Sequence, residues 1–150
     1  MHNIRDFMSG DHRRCDDIFA RVEALVAAED WARAVAGFSE FQQAVLQHFA
    51  TEESLLFPAF EQKTGMSMGP TQVMRGEHVQ MRELMEAARG ALLAKDADDY
   101  SGNAETLLIM MQQHNMKEEN VLYPMCDQHL SEHVDSLLPQ MQEKLLEKMD

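Results

Sequence analysis

Apolar residues along this chain recur at alternating steps of three and four, the spacing that lines one face of an α-helix. A first segment carries Met8, His12, Cys15, Phe19, Val22 and Val26 on such a stripe, and a second carries Phe38, Phe41, Val45, His48, Glu52, Leu55 and Ala59. The third runs Met74, His78, Met81, Met85, Ala88 and Leu92, and the fourth runs Ala104, Leu107, Met111, His114, Glu118, Val121 and Met125. After Leu130, the positions Val134, Leu138, Met141 and Leu145 predict a shorter fifth amphipathic helix, packed on the others or on a partner subunit. The pattern predicts an all-α protein: an antiparallel up-down-up-down four-helix bundle in residues 1–130 and an extra helix in residues 131–150.

Turn residues set the lengths of these elements. The first helix should end near Glu29 and Asp30 and the third near Lys95 and Asp96, and connections that short force antiparallel packing. Gly65 to Pro70 is the longer middle connection, with Pro70 suited to the first position of the third helix. Pro58 and Pro124 should end or kink the second and fourth helices. Counted from the first turn at about 1.5 Å per residue, His12 and His48 fall at about the same height, and the second turn relates His78 to His114 likewise.

Composition narrows the function without identifying it. With 150 residues the chain suits one domain, and its scarcity of Gly and Pro (7 and 4) agrees with a helical fold. A net charge of −13 repels phosphate backbones and anionic headgroups, so neither nucleic acid nor a membrane surface is an expected partner. No apolar run has signal-peptide or membrane-spanning length, and a cytoplasmic location is expected. Cys15 and Cys126 do not make a disulfide framework, and the 13 methionines read as core filling rather than copper ligands.

The chain also repeats itself at an offset of 66 residues, the distance from His12 to His78 and from His48 to His114. Met8-Ser-Gly-Asp-His12 aligns with Met74-Arg-Gly-Glu-His78. His48-Phe-Ala-Thr-Glu52-Glu53-Ser-Leu-Leu56-Phe57-Pro58 aligns with His114-Asn-Met-Lys-Glu118-Glu119-Asn-Val-Leu122-Tyr123-Pro124. Four histidines and two glutamates thus fall on inner stripes that are otherwise apolar and offer no Lys or Arg as partner. An ionised carboxylate buried without a partner costs several kcal/mol or more. Divalent cations resolve the conflict: four imidazoles and two carboxylates at one level can ligate two ions, each Glu bridging through its two oxygens. Zinc prefers closed Cys- or His-rich sites, whereas iron or manganese accepts a mixed set with open positions, so iron is expected, with manganese or zinc as the alternatives. His129 and His133 share an i, i+4 spacing but lie in a polar segment and read as solvated surface.

The pattern His12, His48-x-x-x-Glu52, His78, His114-x-x-x-Glu118 resembles the hemerythrin-like, or HHE cation-binding, family over about residues 4–128. The resemblance implies a four-helix bundle with a non-haem di-iron centre in which Glu52 and Glu118 bridge, while His12, His48, His78 and His114 are terminal ligands. Oxygen-carrying hemerythrins have a His-x-x-x-His pair on the third helix, and Met74 stands at its first position here. The chain is thus more similar to the di-iron repair-of-iron-centres proteins, associated with nitrosative and oxidative stress, but without their cysteine-bearing N-terminal domain. The reading that follows is a protein that binds O2, NO or peroxide for capture, sensing or stress protection. Its alternatives are a di-iron enzyme that reduces NO or peroxide, and an iron storage or donation protein. A redox partner and a homodimer are the further partners this reading admits. Cys15 reads as a small core residue, and Tyr123 as a hydrogen-bonding or oxidisable group if it points inward.

Overall fold

The structure, a computed structural model, describes residues 3–147, so residues 1–2 and 148–150 at the ends of the two expected units lie outside the described residues. Helix α1 (Ile4–Ala27) opens on Asn3, whose side chain accepts the Asp6 N–H at 2.7 Å. It stops where Glu29 turns left-handed (φ 57°) and the Asp30 N–H donates to the Leu25 carbonyl at 3.0 Å. Asp30 then caps α2 (Trp31–Thr51) by accepting the Arg33 N–H. The same turn recurs one repeat later. Lys95 has φ 56°, Asp96 donates to the Ala91 carbonyl, and the Asp96 side chain caps α5 (Ala97–Lys117) after α4 (Pro70–Leu93).

These turns fold each half onto itself: α1 packs along α2 and α4 along α5, while α2 meets α4 and α1 meets α5. Gly37 permits a close approach within the first pair, since a Cβ there would stand 3.2 Å from the Val22 side chain. Among the described residues there is no strand, and no helix is long and apolar enough to cross a membrane.

The prolines do not end the helical run. Residues Glu52–Leu56 and Glu118–Leu122 form single π-helical turns, after which α3 (Phe57–Thr64) and α6 (Tyr123–His129) continue. Pro58 and Pro124 sit in the second position of those continuations. A proline ring crowds the carbonyl four residues back and cannot donate to it, and a turn wider by one residue relieves that crowding while the chain stays helical. The Phe57 N–H therefore reaches the Glu52 carbonyl and the Tyr123 N–H the Glu118 carbonyl, each five residues back.

The extra residue moves the buried stripe on by one position. Leu56, Phe57 and Phe60 are buried in the first continuation, and Leu122, Tyr123 and Cys126 in the second. Of the stripe residues expected there, Leu55, Ala59 and Met125 are only partly buried and Val121 is 52% exposed. Past the bundle, α7 (Val134–Leu146) lies against α2 and the first π turn, with Val134, Leu137 and Met141 buried; Leu138 and Leu145 are only partly so.

The apolar interior is divided in two. One cluster contains Cys15, Phe19, Val45, Phe49, Met81 and Met111, and the other contains Met8, Leu56, Phe57, Met74, Leu122 and Tyr123. Along every long helix the passage from one cluster to the other crosses a buried polar residue: His12 on α1, His48 on α2, His78 on α4 and His114 on α5.

Candidate metal centre

The six residues expected on the inner stripes converge in this polar layer. Glu52, His78 and Glu118 have no exposed surface, and His12, His48 and His114 are at most 5% exposed. The His12 and His48 rings lie 4.6 Å apart and the His78 and His114 rings 5.0 Å apart, so each hairpin brings its own pair to one level. The ligating atoms fall into two groups that could each hold a metal ion: Glu52, His78, His114 and Glu118 form one, and His12, His48 and Glu118 the other.

Glutamates connect the groups. Glu52 turns Oε1 toward His78 Nε2 at 3.1 Å and Oε2 toward His48 Nε2 at 3.6 Å, one oxygen for each half of the chain. Glu118 places Oε1 3.1 Å from His12 Nε2 and 3.4 Å from His114 Nε2. The i, i+4 spacing that brings His48 over Glu52 and His114 over Glu118 is preserved because each π turn begins at the glutamate, after the pair.

Four carboxylates outside the expected set hold the imidazoles in place. Asp11 accepts from His48 Nδ1 at 2.8 Å and Glu77, its counterpart in the repeat, from His114 Nδ1 at 2.8 Å. Glu53 accepts from His78 Nδ1 at 2.6 Å and Glu119 from His12 Nδ1 at 2.7 Å. Each acid crosses to a histidine on another helix. A proton on Nδ1 fixes the tautomer and leaves the Nε2 lone pair aimed inward, the arrangement that metal-bound histidines adopt. Basic residues neutralise the outer side: Arg82 donates to both oxygens of Glu53, Arg14 to Asp11 and Lys117 to Glu77. Burial alone would raise the Glu53 pKa, but His78 and Arg82 hold it at about 2.

That orientation tests whether these residues suit a cation. With Nδ1 protonated, the inner Nε2 atoms face glutamate oxygens, lone pair against lone pair. Glu52 Oε1, His78 Nε2, His114 Nε2 and Glu118 Oε2 are buried without any hydrogen-bond partner. A buried polar atom left unpaired costs about 1–3 kcal/mol, more when charged, so four converging on one spot fit a group of positive charge between them.

In the metal-free chain protons supply part of that charge. Burial opposes a charged His114, yet the Glu118 carboxylate, aided by Glu52 and Glu77, holds its imidazole at about 9. His48 and His78 are also shifted upward against the effect of burial, chiefly by the Glu52 carboxylate. Glu52 stays well below the usual carboxylate range despite complete burial, with His48 the main counterweight.

Tyr123, whose direction the stripe could not fix, points inward. Its hydroxyl lies 2.7 Å from Glu52 Oε2 and 2.9 Å from Glu118 Oε1, and its ring stacks 5.7 Å from His12. Phe57, at the equivalent place in the first repeat, stacks on His78 at 5.9 Å and has no such oxygen. On the other side of the His12/His48 pair is a cavity of about 10 Å³ lined by Cys15, Val45, Phe49, Met111 and Asn115. Burial pushes the Cys15 thiol up to about 11, so it meets that cavity as a neutral S–H. His129 and His133 are exposed and belong to neither metal-suited group.

A helical fold with a buried layer of imidazoles and carboxylates, duplicated between its halves, defines a cation-binding helical domain. The model of the hemerythrin HHE cation binding domain matches residues 3–126, and the chain belongs to that family. No curated protein and no solved structure matches it.

Two measurements test the geometry. Glu52→Ala or Glu118→Ala should lose bound metal through gel filtration, while Glu53→Ala or Glu119→Ala should retain it with about 10–100-fold weaker affinity. Equal losses from all four would contradict the division between inner and outer acids. Because metal must displace the proton that His114 carries below about 9, affinity for ferrous iron should fall at least about tenfold between pH 7 and pH 6. An affinity independent of pH over that interval would contradict the charge balance.

Proposed function

We propose that the chain is a non-haem di-iron protein whose centre binds O2, NO or peroxide in a binding, sensing or protective role. In this reading His12 and His48 ligate one iron, His78 and His114 the other, and Glu52 and Glu118 bridge them within an antiparallel up-down-up-down bundle. The supporting observation is the pair of overlapping ligand groups with unpaired inner atoms. Mixed nitrogen and oxygen donors, with fewer protein ligands than an octahedral ion accepts, favour iron over zinc and leave positions for a small molecule.

The cavity beside His12 and His48 suggests where that molecule enters. About 10 Å³ is room for one water-sized guest, a scale nearer to a small inorganic molecule than to a substrate of metabolite size. Its lining is mainly apolar, and Asn115 is the one amide that could donate to a bound oxygen atom. Bound iron would supply Lewis acidity and electrons. The protein's own residues orient the imidazoles and exclude bulk water. Met74, buried one turn before His78, gives no further imidazole, which favours capture or protection over simple O2 carriage.

Mixing of the anaerobically reduced protein with NO under exclusion of O2, and separately with O2 and with peroxide, tests this proposal. Absorption changes that saturate near one ligand per centre are expected for binding. NO consumption well beyond that ratio would favour the enzymatic alternative, and indifference to all three ligands would contradict both.

A further inference from the structure

The two halves of the centre differ in an oxygen atom at the Phe57 and Tyr123 positions. The Tyr123 hydroxyl oxygen lies within 3.3 Å of four of the proposed ligand atoms: Glu52 Oε2 at 2.7 Å, Glu118 Oε1 at 2.9 Å, His48 Nε2 at 3.2 Å and His12 Nε2 at 3.3 Å. With His12 and His48 carrying their protons on Nδ1, toward Glu119 and Asp11, all four neighbours are acceptors, and the single phenol proton cannot satisfy them all. Neighbouring ligands of an octahedral ion, each about 2.1 Å from it, are about 3 Å apart. The phenol oxygen stands at that spacing from every one of the four. Its ring is locked: Tyr123 has no exposed surface, stacks near His12, and follows the π turn that rotates it onto the inner face.

We propose that Tyr123 is a direct ligand, through its phenol oxygen, of the metal ion held by His12 and His48. The centre is then chemically asymmetric. The ion on the His78/His114 side has Phe57 in the equivalent place and gains no such ligand. A hard anionic oxygen stabilises the oxidised ion, so the two sites would differ in potential and in the positions left for an incoming molecule. This inference rests on the di-iron reading above. It adds an oxygen donor that the duplicated His and Glu motif does not contain.

A ferric ion bonded to phenolate absorbs visible light by charge transfer from the ring, and exciting that band enhances the ring vibrations in a Raman spectrum. The test uses the full chain loaded with iron and oxidised, with metal content measured on each sample. The wild type should show the band and the enhanced ring modes. Tyr123→Phe should lose both, whether it retains both ions or releases one, while Tyr100→Phe, which alters the other tyrosine, should keep them. An iron-loaded wild type without phenolate ring modes would overturn the ligand assignment while leaving the di-iron reading intact, and so would a band that persists in Tyr123→Phe. A wild type that takes up no iron would remove both. The wild-type Raman spectrum decides the matter even if Tyr123→Phe fails to fold.

Discussion

Glu52 and Glu118 are fully buried at the centre of the helices, and everything around them is organised by the positive charge their carboxylates require. Among the described residues no lysine or arginine pairs with either carboxylate. Their neighbours are imidazoles whose outer nitrogens are already committed to Asp11, Glu53, Glu77 and Glu119, so the inner nitrogens face the glutamates as further electron pairs. Protons satisfy this arrangement in part, as the upward-shifted His114 indicates. Cations at the centre would satisfy all of it at once. The outer acids, three of them (Asp11, Glu53 and Glu77) backed by Arg14, Arg82 and Lys117, hold the imidazoles in one rotamer and one tautomer.

The π turns give this layer its shape. By adding one residue just after each glutamate, they leave the His-x-x-x-Glu pair in regular α-geometry and re-aim the following aromatic residue. Phe57 and Tyr123 come inward as a result, where an uninterrupted helix would have pointed Leu55 and Val121. The same rotation sends Val121 into solvent. The duplicated hairpin produces two nearly equivalent histidine pairs, and the hydroxyl that separates tyrosine from phenylalanine makes the two sides different.

Most of the inner layer was legible in the sequence because helical spacing and internal repetition agree on it. His12, His48, Glu52, His78, His114 and Glu118 occupy apolar stripes, where a polar residue requires an explanation. The outer acids were not legible by that logic. Asp11, Glu53, Glu77 and Glu119 sit beside the stripe, at positions where solvated glutamates are common, and only the folded neighbours reveal what they touch. Their signal was present in the repeat, which matches acid to acid before the first histidine and after the buried glutamate. The π turns escaped for a different reason: proline announces a disturbance without specifying its form, and a slip of one residue changes every later side of the helix. The fifth helix shows the same sensitivity, with Leu137 buried where Leu138 was expected.

Elemental analysis of protein purified without oxygen, with iron supplied during growth, tests the central claim most directly. About two iron ions per folded chain are predicted, because two ligand groups meet at Glu118. A folded chain that contains no metal and takes up none on reconstitution would contradict it, since the buried carboxylates would then be stable without the cations that the account requires.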